Sequence, residues 1–178
     1  KEGKLAKDSI VVTVMSNLGF NIMAQREGIN VIKTKVGDRY VLEEMLQNGY
    51  NIGGEQSGHV ILLDHITTGD GILTGIKLLS VLKRSASKIS TLASVMQVLP
   101  QILKNAKVRN DNKYKYLEDE VISKMCRELE KDFRGEGRVL IRPSGTEPLI
   151  RVMIEGKDEK HIEKRAIELA KVIEERLG

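Results

Sequence analysis

"SIVVTVMSNLGFNIMAQREGINVIKTKV", Ser9 to Val36, reads as strand, helix and strand in succession. Ser9–Met15 is a short β-branched run suited to a buried strand. Asn17 can cap a helix that runs through about Glu27, and Ile29–Val36 resumes the extended pattern. The same alternation continues outward. Asp38–Gly49 puts Val41, Leu42 and Met45 on one helical face, with Gly49 as the stop. Val60–His65 reads as another strand. A helix over about Gly71–Lys83 follows, with Ile72, Ile76, Leu79 and Leu82 at helical spacing, and a further one runs from about Ser90 to Val98 ahead of Pro100. Strands alternating with helices predict an α/β domain, placed at residues 9–104.

Beyond Leu103 the order changes. "KNAKVRNDNK", Lys104 to Lys113, reads as linker plus a piece of strand. Leu117, Val121, Met125 and Leu129 mark a helix that Gly135 and Gly137 break. "RVLI" and "LIRVMIEG" read as two strands joined by the turn "RPSGTEP". The last helix, Asp158–Leu177, carries Ile162, Ala166, Leu169, Ala170, Ile173 and Leu177 on one stripe. Residues 105–178 therefore form a small α+β domain, a sheet with two helices on one face. Residues 1–8 fall outside both domains and are assigned to a linker or the remnant of a preceding domain.

Composition narrows the function classes. The chain has 178 residues, 40% hydrophobic and 30% charged, as a globular protein does. Its net charge of +4 resides in residues 1–107, with 13 Lys/Arg against 9 Asp/Glu; the rest has 16 of each. Close mixing of signs, 3% aromatics and no Trp argue against nucleic-acid binding. No apolar run approaches the roughly eighteen residues of a membrane span, and no leader pattern follows Lys1. Cys126 is the only cysteine, so no intrachain disulfide forms and a cytoplasmic location is expected. It is read as a passive thiol on a helix.

Two loops hold the candidate chemistry. "NIGGEQSGHVILL", Asn51 to Leu63, spaces Gly53 and Gly58 as a P-loop would, but His59 and Val60 stand where Lys and Ser/Thr are needed. Glu55 in its centre would repel a phosphate. With Ser57 and His59 it either holds sugar hydroxyls or sits exposed on a loop. "IRPSGTEPLIR", Ile141 to Arg151, offers the Arg142 guanidinium, the hydroxyls of Ser144 and Thr146, and a Gly145 free to take positive φ. It serves either as an anion nest with an arginine clamp or as a hairpin turn facing water. Two polar glycine loops on two domains suit a ligand cleft. No metal site is expected: on one strand His59 and His65 would stand roughly 20 Å apart. His161 reads as solvated.

At these loops the sequence resembles the α-D-phosphohexomutases. "GGEQSGH" is similar to that family's sugar-binding loop and "RPSGTEPLIRVM" to its C-terminal phosphate-binding loop. "VMSNLGF", "TKVGDRYV" and "TTGDGILTG" are similar to further family stretches, so the resemblance spans nearly the whole chain. The E-Q-S form of the first loop favours the family's glucosamine branch over its mannose/glucose branch. The resemblance implies that Glu55, Ser57 and His59 contact the sugar, and that Arg142, Ser144, Gly145 and Thr146 hold its phosphate. Asp38 and Arg39 match a neighbouring loop, and Arg151 supports the phosphate loop. The implied fold is an α/β mixed-sheet sandwich-type domain, then an α+β domain with a four-stranded antiparallel sheet and two helices, TATA-box-binding-protein-like.

The T-A-S-H-N-P type loop that carries the family's phosphoserine, and the D-x-D-x-D-R loop that holds its Mg2+, occur nowhere in the sequence. The resemblance thus implies the third and fourth of four domains, with the catalytic serine and the metal site elsewhere and no activity from this chain alone. The whole enzyme would be a bacterial isomerase interconverting glucosamine 6-phosphate and glucosamine 1-phosphate toward peptidoglycan precursors. Glucosamine 1,6-bisphosphate would be its intermediate. The expected partners are the phosphosugar, the missing N-terminal domains and possible second copies in a homodimer, with neither nucleic acid nor membrane. The mannose/glucose branch and a standalone phosphosugar-binding module are the alternatives.

Overall fold

The computed structural model describes residues 3–178. Lys1 and Glu2, part of the expected remnant over residues 1–8, lie outside the described residues. The chain divides into two compact units, Lys1–Val98 and Leu99–Gly178. A division at 104/105 would fall inside a strand.

The first unit opens with a 3₁₀ turn, Ala6–Asp8, tied to the body through Asn51: its Oδ1 accepts from Ala6 N and its Nδ2 donates to Lys4 O. Then follow β1 (Ser9–Thr13), α1 (Leu18–Arg26), β2 (Asn30–Thr34), α2 (Asp38–Asn48), β3 (Ile52–Gly54), β4 (Val60–Leu62), α3 (Gly71–Ser85) and α4 (Ile89–Ala93). The strands form a mixed sheet in the order β2-β1-β3-β4, with β1 parallel to β2 and β3, and β4 antiparallel to β3. Asn17 caps α1 by accepting from Gly19 N at 3.0 Å, and Gly49 ends α2 at φ 68.

α2 buries Val41 and Met45 against Val11 of β1 and Ile61 of β4. Gly53 makes this packing possible. A Cβ there would stand 2.5 Å from Met45 Sδ and 2.6 Å from Val41 Cγ1. α3 is the exception to the expected core pattern. Ile72, Ile76 and Leu79 are 79%, 59% and 65% exposed, and no residue of α3 is buried. The residues it turns toward Ile52, Val60 and Leu62 are Thr74, Lys77, Leu78 and Val81, which share a cavity with them.

The second unit contains β5 (Gln101–Lys107), α5 (Glu120–Phe133), β6 (Gly137–Pro143), β7 (Leu149–Gly156) and α6 (Glu159–Leu177). Its sheet is antiparallel in the order β5-β7-β6. Four strands were expected; among the described residues there are three, and the TATA-box-binding-protein-like label goes with the fourth. After β5 the chain enters "RNDNKYKYL", Arg109 to Leu117, where two 3₁₀ turns, Asn110–Asn112 and Lys115–Leu117, replace any strand. Asn and Asp side chains favour such local turns over a ladder.

Both helices pack on one sheet face. Ile150, Val152 and Ile154 of β7 meet Ile162, Ala166, Leu169 and Ile173 of α6 and Ile122 and Leu129 of α5. The α6 stripe is the expected one; all six of its residues are buried. The α5 stripe is not. Leu117 precedes the helix and Val121 is exposed, while Ile122, Cys126 and Phe133 join Met125 and Leu129 in the core. Period-two alternation leaves Arg138, Arg142, Arg151 and Glu155 on the opposite sheet face. There Glu155, fully buried, pairs with Arg138. No described helix is long and apolar enough to cross a membrane.

Candidate functional site

In the first unit the β3–β4 connection closes as a hairpin loop, with Glu55 N donating to His59 O at 2.9 Å and Gly58 N to Glu55 O at 3.1 Å. This folding turns Glu55 inward, leaving its side chain 12% exposed. Its Oε1 accepts from Gly37 N at 3.0 Å and its Oε2 from Ser57 Oγ at 3.2 Å. Ser57 Oγ also lies 2.9 Å from His59 Nδ1, which stands 4.0 Å from Glu55 Oε2. Glu55, Ser57 and His59 are thus one connected cluster, with acceptor capacity left on the carboxylate, which has about four lone-pair positions. Glu55 and His59 also line an apolar cavity of about 270 Å³ with Val12, Phe20, Ile52 and Val60.

Asp38 and Arg39 do not join this cluster by side-chain contact. Asp38 Oδ1 accepts from Arg39 N, and Arg39 Nε donates to Glu43 Oε1 at 2.7 Å, which raises its pKa. What this segment contributes to the cluster is the Gly37 amide. A backbone donor has no residue-type signature, so sequence reading passed over it.

In the second unit the β6–β7 turn places Arg142 directly across from Arg151. Like charges opposite each other on a sheet repel. Arg151 is compensated, with Nη2 3.2 Å from Glu147 Oε2. Arg142 is not: its Nε is buried without a hydrogen-bond partner among the described residues. Burial first, and the Arg151 charge second, push the Arg142 guanidinium below its ordinary pKa. An anion at this point would relieve both.

Ser144 is buried at the start of the turn. Its N–H donates to Leu149 O, its Oγ accepts from Glu147 N at 3.2 Å, and its carbonyl accepts from Lys113 Nζ at 3.0 Å. The N–H groups of Gly145 and Thr146 have no hydrogen-bond partner among the described residues. Gly145 does not take the positive φ open to it, and a Cβ there would meet open space. Neither backbone strain nor packing demands glycine there. Arg142, Ser144, Gly145 and Thr146 are therefore together, with Arg151 beside them. Lys113 and Glu147 were missed. Glu147 lay inside the quoted motif without a role, and Lys113 lay in a stretch read as linker.

Among the described residues no three His, Cys, Asp or Glu side chains are placed to share a metal ion.

Residues 1–99 match the family model described as phosphoglucomutase/phosphomannomutase, alpha/beta/alpha domain III. Residues 103–172 match phosphoglucomutase/phosphomannomutase, C-terminal domain. The chain is 73% identical over 178 residues to a phosphoglucosamine mutase of Acetivibrio thermocellus and 59% identical over 178 residues to one of a Thermoanaerobacter species. It spans 40% of the length of each of these curated relatives. The solved N-acetylphosphoglucosamine mutase of Aspergillus fumigatus superimposes with a TM-score of 0.77 at 16% identity, over 97% of this chain and 39% of that one. A structure of that enzyme in complex with GlcNAc-6P and magnesium gives 0.76 at 16% identity, over 99% of this chain and 40% of that one. At such identity the likeness bears on the fold.

Proposed function

The chain belongs to the phosphoglucomutase/phosphomannomutase family, and on that premise we propose that it supplies phosphosugar recognition to a phosphoglucosamine mutase. The observation that carries this reading is Arg142, set across from a second arginine with a buried Nε that no described residue satisfies. A guanidinium in that position is held for an anion, and phosphate geometry suits its paired donors. Arg142, the Ser144 hydroxyl and the Gly145 and Thr146 amides take the phosphate. Glu55, Ser57 and His59 take sugar hydroxyls, which need acceptors and would not tolerate a phosphate beside the carboxylate. The relatives' name favours glucosamine over mannose or glucose as the hexose.

In the longer protein the serine phosphate is transferred to a hydroxyl of the bound glucosamine phosphate. The resulting 1,6-bisphosphate then returns its other phosphoryl group to the serine. A magnesium ion held outside these residues would neutralise charge on the transferred group. The residues here position the sugar and bind the phosphate that stays in place, which is the larger part of what phosphoryl transfer asks of a protein. The assignment is tested in the full-length enzyme by assaying glucosamine, mannose and glucose phosphates side by side. Preference for the glucosamine phosphate, with kcat/KM lowered roughly tenfold to a hundredfold by Arg142→Ala, is the expected outcome. Equal rates on the three sugars would contradict the branch assignment, and an unchanged Arg142→Ala enzyme would contradict the phosphate site.

A further inference from the structure

Every position of Asp111–Glu120 is exposed or half-exposed except Lys113, which is 8% exposed. This inverts the usual order, because an ammonium loses strong hydration when it is buried and lysine is rarely buried unpaired. The hydrogen bond that Lys113 makes goes to a neutral oxygen, the Ser144 carbonyl, 3.0 Å from Nζ, and no carboxylate pairs with it among the described residues. Its backbone is fixed at both sides. Asn112 Nδ2 donates to Leu177 O at 3.1 Å and Tyr116 Oη to Ile141 O at 3.5 Å, which ties the two 3₁₀ turns to α6 and β6. The sequence therefore holds a buried positive charge on a braced segment and points it at one carbonyl of the turn.

That carbonyl shares its peptide plane with the N–H of Gly145. In a trans peptide the two point in opposite directions, so whatever holds the oxygen also aims the hydrogen. The Gly145 N–H has no partner among the described residues. A carbonyl oxygen is also the group of such a turn that would repel an arriving anion, and an ammonium on it offsets that repulsion. We propose that Lys113 is a positioning residue of the phosphate loop, orienting the Ser144–Gly145 peptide so that its N–H meets the phosphate. The inference rests on the phosphate reading of Arg142–Thr146.

The test uses the 178-residue chain with inorganic phosphate as the probe, following amide shifts by NMR in wild type, Lys113→Met and Lys113→Arg. Wild type is expected to shift at Arg142–Thr146. Lys113→Met should weaken that binding roughly tenfold or more with its melting temperature nearly kept, and Lys113→Arg should restore most of it. Equal affinity in Lys113→Met overturns the role of Lys113 and leaves the phosphate site standing. No shift at Arg142–Thr146 in wild type overturns the phosphate site and the inference with it. A second observation needs no variant. The ¹⁵Nζ signal of Lys113 in wild type should titrate in step with the Gly145 amide, and a Lys113 signal that stays still while the amides move also overturns the proposal.

Discussion

Arg142 and Arg151 stand opposite each other on adjacent strands, and among the described residues only Arg151 of the two pairs with a carboxylate. Replacing Arg142 by Ala removes the repulsion and the anion clamp together. Phosphate affinity should then fall about tenfold to a hundredfold while stability holds or rises slightly, read by titration calorimetry and a thermal melt. At Gly53 the sign is reversed. Gly53→Ala would drive a methyl into Met45 and Val41, and we expect a loss of about 1–3 kcal/mol in urea unfolding. Cys126 gives a third check at this scale. Burial first, and the Glu130 charge second, push its thiol up to about 11. A raised thiol pKa means less thiolate at neutral pH, so iodoacetamide should label Cys126 at pH 8 roughly a hundredfold more slowly in the folded chain than after unfolding. Equal rates would show that the thiol is not held in the α5 core.

At the scale of elements, the cap read from the sequence at Asn17 is present, and Asp119 and Asp158, which were not read as caps, likewise accept from the first turn of the helix that follows. Burial alone would raise the Asp119 carboxyl, but hydrogen bonds from Arg176 and from the Ile122 and Val121 amides outweigh it and hold it below its ordinary value. A carboxylate with a depressed folded-state pKa contributes stability that is present above the unfolded value near 4 and lost as pH falls through the lower folded one. Asp119→Ala should therefore destabilise the second unit by about 0.5–2 kcal/mol at pH 7, with the difference from wild type shrinking as pH falls below about 4. A constant difference down to pH 2 would contradict the cap. The α6 stripe was legible because six apolar residues share one face of a long helix. The α5 face was not, since Val121 and Ile122 are adjacent and equally apolar, and only packing against α6 and β6 selects Ile122. The edge strand β5 was half hidden because Lys104, Asn105 and Lys107 interrupt its apolar run.

At the scale of the whole molecule, strand–helix alternation was enough to separate an α/β unit from an α+β unit. The fourth strand of the second unit was implied by the resemblance and not by this alternation, which read three extended pieces there, and the sheet has three strands. The candidate residues of the two loops were legible as polar types on glycine turns. Gly37 and Lys113 were not, because one acts through its backbone and the other reaches across 31 positions of sequence to Ser144. The second unit has its own core of α5, α6 and three strands, so Leu99–Gly178 made alone should unfold cooperatively in a thermal melt. The measurement that bears most directly on the proposed recognition is an NMR titration of the 178-residue chain with glucosamine 6-phosphate, beside inorganic phosphate and glucosamine. Shifts by the phosphosugar at both Gly53–His59 and Arg142–Thr146 are predicted. Shifts confined to Arg142–Thr146, and equal with inorganic phosphate, would contradict the role given to Glu55, Ser57 and His59.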